Sequence, residues 1–312
     1  MISASLIAAL TFAALSSQDA APPTPRTPPA VAGAPTGDPA TLTDVVVDGR
    51  QLDQLAQDYV EAVAAPARRR GLARWPGRVC VGAVNMRAEA SQAVIDHVSR
   101  RALELGLRIG EPGCRPNVVI IFAADARSLA TSLVEADRRA FHLGVGGLDR
   151  GSVALDAFAS SDQPVRWWHI SMPVIGASHA RAIRMPGDTG PIYVPGEGIV
   201  NRGRSISDDL NKAIIIVDVD QLAGTTLASL SEYLSMVALA QVDPDGDTGG
   251  QDTILNLFED TASVQSLSEW DMTYLRSLYA APSERLNPDR QAGALARRLR
   301  RERQAAPPEG AS

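Results

Sequence analysis

The feature that most constrains this chain is an apolar strand followed by a helix with almost no polar face. Residues 213–219 (AIIIVDV) read as a strand. Residues 225–241 (TTLASLSEYLSMVALAQ) place Leu227, Leu230, Leu234 and Val237 at three- and four-residue steps, with no Gly or Pro between them. The other faces carry chiefly Ala, Ser, Met and Tyr, and Glu232 is the only charge. A helix of this kind is expected to be buried nearly all round. It can only sit inside a fold large enough to surround it.

Upstream, residues 50–64 form an amphipathic helix on Leu52, Leu55, Tyr59, Val60 and Val63, ended by Ala65-Pro66. Residues 44–48 (DVVVD) are a short strand candidate, and 78–84 (RVCVGAV) a second. A helix over 88–105 closes at Gly106, and a short strand at 108–110 precedes a buried-type strand over 117–123 (NVVIIFA). This β-α-β order predicts helices packed on a sheet. Residues 128–139 read as a helix and 165–170 (VRWWHI) as a strand with one Trp on each face. Residues 176–207, rich in Gly and Pro, read as long loops. After the central helix come a short apolar segment at 254–258 and a helix over 267–279 capped by Ser268. An Arg-rich surface helix over 289–303 follows.

Residues 1–17 hold a short apolar run, the core of a signal peptide or a retained N-terminal anchor, too short for a span of about 20 residues. Residues 18–42, rich in Pro, Ala, Thr and Gly, are expected to be a disordered linker. One domain over 43–290 and an Arg-rich helix with a disordered tail over 291–312 complete the division. Cys80 and Cys114 are the only cysteines, an even count that in an exported chain predicts one disulfide. A net charge of −6 offers no electrostatic case for nucleic acid or an anionic membrane as partner. The expected location is periplasmic or secreted.

Three other stretches read as structure. The glycines in HLGVGGLDRGS, Gly144 to Gly151, lack the GK[ST] of a phosphate loop. Asp243, Asp245 and Asp247 lack the Gly and the terminal Glu of a calcium loop in the required places. The four histidines, His97, His142, His169 and His179, show no paired metal-ligand spacing.

The central helix resembles the active-site helix of metzincin zinc proteases, HExxHxxGxxH, in which three His bind zinc and the Glu is the general base. Residues 231–241 (SEYLSMVALAQ) match that register with the chemistry replaced. Ser231, Ser235 and Gln241 stand at the three ligand positions, Ala238 at the Gly, and Glu232 at the general base. Ile254-Leu255-Asn256 resembles a Met-turn with Leu255 in place of Met, and LSEWDMTYLRSLY resembles the segment that closes the metzincin lower subdomain. The resemblance runs from residue 74 to 280. The blocks CRPNVVIIF, EYLSMVALAQ and WDMTYLRSLY are also similar to those of an uncharacterised family of exported bacterial proteins.

The resemblance implies an α+β, metzincin-like fold. A mixed twisted sheet would pack on a long helix and a central buried helix, with a small helical C-terminal part. It implies no cofactor, because Ser and Gln oxygens are poor zinc ligands beside imidazole or thiolate. The expected function is non-catalytic binding of a cell-envelope peptide or protein in the remnant cleft. The alternative is a peptidase-like hydrolase of the envelope, with Glu232 as base and non-standard ligands such as His169 and His179. A buried Glu232 needs a partner, and an Arg or backbone N–H groups are the simplest.

Overall fold

The computed structural model describes residues 49–67, 70–142, 148–175, 179–183, 206–280 and 288–305. The apolar leader, the linker, the strand read at 44–48, the glycines at 144, 146 and 147, most of 176–207 and the tail from 306 lie outside the described residues.

Helix α1 (Gly49–Val63) turns Ala56, Tyr59, Val60 and Val63 into the core. The run at 78–84 forms two strands, β1 (Arg78–Val79) and β2 (Val81–Val84). The break falls at Cys80, whose N–H donates to Asn117 Oδ1 (2.8 Å). Helix α2 (Ala88–Glu104) buries Val94, Val98 and Ala102 and stops before Gly106, whose φ of +78° suits a residue without a Cβ. Strand β3 (Arg108–Ile109) pairs in parallel with β1, and β4 (Val118–Ala123) with β2. Cys80 and Cys114 form a disulfide between the strand break and the loop before β4, with Cα atoms 6.2 Å apart. Gly110 lies against it, where a Cβ would collide with the Cys114 sulfur.

The helix read over 128–139 is broken in two. Helix α3 (Ala126–Ala136) ends at Asp137, and α4 (Arg138–Phe141) begins there because the Asp137 carboxylate accepts from Ala140 N–H (3.1 Å). A further helix, α5 (Ser152–Ser160), follows Gly151, in a stretch that the sequence reading left without an element. Strand β5 (Val165–Ile175), β6 (Ala180–Arg181) and β7 (Ile206–Asp218) complete a five-stranded sheet in the order β2-β4-β7-β5-β6. Strands β2, β4 and β7 run parallel, while β5 is antiparallel to β7 and β6. Both long strands extend well beyond their sequence readings. The polar half of β7 carries Asp208 and Asp209, which give no apolar signal.

Helix α6 (Leu227–Leu239), α7 (Glu269–Ala280) and α8 (Pro288–Ala305) follow. The fold is therefore α+β, with a mixed sheet covered on both faces. The larger core joins α1, α2, α6, α7 and α8 to Val118, Ile120, Phe122, Ile215, Val217 and Trp167. The smaller lies under α3, α4 and α5 and holds Trp168, Ile170, Ile214 and Ile216. Trp167 and Trp168 thus point to opposite faces, as strand alternation requires. Strand β4 is less symmetrically covered than its apolar run implied, since Val119 and Ile121 are half-buried. Helix α8 is not a purely surface element either. Leu295, Ala296 and Leu299 are buried, and these few apolar positions are easily missed among arginines whose stems can lie along a protein surface.

Buried Asp271 ties the larger core together. It accepts from Tyr59 OH (2.5 Å), Thr253 Oγ1 (2.6 Å), Ile254 N–H (2.8 Å) and Ser268 N–H (2.8 Å). The last bond, with Ser268 Oγ accepting from Asp271 N–H (3.0 Å), caps α7 reciprocally. Among the described residues no helix is long and apolar enough to cross a membrane. The disulfide fits a non-reducing compartment.

Candidate functional site

Helix α6 is buried from Ser229 to Leu239, so every polar group on it must find a partner inside the protein. At its start, Thr226 and Ser229 form a reciprocal cap. Ser231 Oγ donates to Leu227 O (2.6 Å) and Ser235 Oγ to Ser231 O (2.7 Å). These are bonds to the preceding turn of the same helix, and they occupy both hydroxyls. Gln241, just past the helix, accepts Ala73 N–H on Oε1 (2.8 Å).

Glu232 faces α2. Arg101 donates Nε to Oε2 (3.0 Å) and Nη2 to Oε1 (2.5 Å), a two-pronged pair, and His97 Nε2 lies 3.1 Å from Oε1. Burial pushes the Glu232 carboxyl upward, but its contacts with His97 and Arg101 outweigh this and hold it at about 2. Hydrogen bonding to Glu232 raises Arg101 above its ordinary value. A carboxylate held this firmly in its ionised form is a weak proton acceptor near neutral pH. Local spacing marks neither Arg101 nor His97 as the partner of Glu232. One signal could have found both: they lie one turn apart beside the Val94, Val98, Ala102 stripe.

The end of α6 exposes carbonyls that the helix cannot satisfy itself. Strand β5, helix α7 and two loop segments supply the donors. His169 Nε2 on β5 bonds Val237 O (2.7 Å), Trp75 Nε1 bonds Ala238 O (2.8 Å), and Tyr279 OH on α7 bonds Leu239 O (2.6 Å). Ala65 N–H reaches Gln241 O (3.0 Å) and Trp167 Nε1 reaches Val242 O (2.9 Å). Burial lowers His169 to about 4, so it is neutral and carries its proton on the nitrogen that bonds Val237. Arg74, beside Trp75, donates to Leu278 O (3.0 Å) and Tyr279 O (2.9 Å).

The four histidines serve four separate places. His97 lies against Glu232, His142 bonds Asp149 (3.0 Å), His169 caps α6, and His179 bonds Asp209 (2.7 Å). Among the described residues no group of three or more His, Cys, Asp or Glu side chains is placed to hold a metal ion. Asp243 and Asp245 meet Arg150 at 2.8 and 3.5 Å, which accounts for two carboxylates of the acidic loop.

Beside β5, α5 and the loop at 242–245 leave two small gaps. One, of about 20 Å³, is lined by Arg150, His169 and Gln241 among others. The second, of about 30 Å³, is lined by Ser161, Gln163 and Arg166, and both share Phe158, Trp167 and Pro244. Each has room for one or two waters.

Comparison with protein families, with curated proteins and with solved structures found no match to this chain.

Proposed function

We propose that this chain is an exported, non-catalytic, metzincin-like protein that binds a peptide or protein of the cell envelope in a remnant cleft beside β5. The observation that carries the reading is the two-pronged Glu232–Arg101 pair. It occupies the one side chain retained from the protease pattern. Ser231, Ser235 and Gln241 are each committed to the backbone, which agrees with loss of the ligand set. Further support comes from a mixed sheet packed on the long helix α2 and the buried helix α6. The disulfide supports the periplasm or the cell exterior.

The rival hydrolase needs Glu232 free to take a proton, with His169 or His179 close by. Glu232 is instead turned to α2, and both histidines are bonded elsewhere. The test is the metal content of the chain from about residue 38 onward, purified without chelator and measured by mass spectrometry, with a peptidase assay alongside. Trace metal and no cleavage are expected. Near-stoichiometric zinc, or cleavage lost in Glu232→Gln, would overturn the reading.

A further inference from the structure

Arg166 is among the largest fully buried side chains in the protein, only 2% exposed, and its guanidinium is under-used. Nη2 reaches Gln163 O at a long 3.3 Å, while Nε and Nη1 find no acceptor among the described residues. A buried guanidinium with idle donors is costly. Burial pulls Arg166 below its ordinary value.

The carboxylates around it are committed elsewhere. Asp218, also buried, accepts the N–H groups of Ala126 (3.1 Å) and Asp220 (3.2 Å). Asp162 pairs with Arg127, Asp125 accepts from Ser128 N–H and Oγ at the start of α3, and Asp245, which lines the same gap, lies 3.5 Å from Arg150. Arg166 also lines the 30 Å³ cleft under α5, near the carboxyl ends of β4 and β7. In sheets with parallel strands that edge is where ligands bind. The gap, with room for one or two waters, can admit the oxygens of a carboxylate. The loop at 161–164 forms one wall through Ser161 and Gln163, and Gln163 is exposed.

We infer that this cleft binds a carboxylate on Arg166, and that the carboxylate is the C-terminus of a bound peptide. The planar fork of the guanidinium suits two carboxylate oxygens at once. Phe158, Trp167 and Pro244 give the last side chain an apolar seat. The inference rests on the peptide-binding reading and narrows it to free C-termini.

The experiment is thermal unfolding of the protein, with sodium acetate against sodium chloride at equal ionic strength, and with trialanine against C-terminally amidated trialanine. Acetate and free trialanine should raise the midpoint. The amidated peptide should bind at least about tenfold more weakly, and Arg166→Gln should lose the response. Arg166→Lys, which keeps the charge without the fork, should retain a reduced response and serves if Arg166→Gln does not fold. Equal shifts from both peptides would overturn the carboxylate site and leave the groove standing. A shift from acetate alone would keep the carboxylate at Arg166 but overturn the peptide, and with it the groove. No shift from any of them would overturn both, leaving Arg166 to internal water.

Discussion

His169 gives the chain a pH-dependent stability that can be isolated from every other group. Its Nε2–H is committed to Val237 O at the end of the buried helix, and burial lowers its pKa from 6.5 to about 4. Between those values the unfolded chain takes up a proton and the folded chain does not. The stabilisation is therefore fully present above pH 6.5 and is lost as pH falls towards 4. At about 1.36 kcal/mol per unit the loss amounts to up to about 3 kcal/mol. The control is His169→Gln, whose amide can still donate to Val237 O but does not titrate. Urea unfolding of both proteins at half-unit steps from pH 7.5 to 4 gives the difference directly, because the other three histidines are common to both. The native chain should lose up to about 3 kcal/mol more than the variant over that range. Parallel curves would refute the reasoning, and would mean that the imidazole ionises in the folded state as freely as in water.

Glu232 adds a second, lower window. Its carboxyl is held at about 2 against 4.5, so its contribution is present above pH 4.5 and fades as pH falls towards 2; Glu232→Gln should flatten that part of an acid titration followed by circular dichroism. Arg101→Ala should cost about 2–3 kcal/mol, less than a fully enclosed pair because Arg101 is partly exposed, and a double-mutant cycle with Glu232→Gln should return a coupling above about 1 kcal/mol. Trp75→Phe keeps the ring and removes the donor to Ala238 O, for a loss of about 1–2 kcal/mol in denaturant unfolding. Replacing Cys80 and Cys114 by Ser opens a loop of sequence separation 34, and the loss should be about 3–4 kcal/mol, matched by reducing the native protein.

The sequence was informative wherever one physical cause dominates a local stretch. The unbroken apolar periodicity of α6 was enough to predict a helix buried on all sides, and it is buried from Ser229 to Leu239. The alternation of Trp167 and Trp168 put one ring on each face of the strand, and each ring lies in a different core. An even cysteine count anticipated the Cys80–Cys114 disulfide. Ser268 announced the start of α7, although Asp271 closing that cap and joining Tyr59 and Thr253 was not visible.

Tertiary structure decided what long-range polar contacts decide. Helix α5 carries only a weak pattern and is fixed by packing Leu155 and Phe158 beneath it. The partner of Glu232 lies 131 residues away on α2, and the donors that finish α6 come from Trp75, His169 and Tyr279. Sequence can show that a buried carboxylate or an open helix end needs partners, because desolvation cost depends on the group alone. Which residues answer that need depends on how the chain returns on itself, and no local spacing records it.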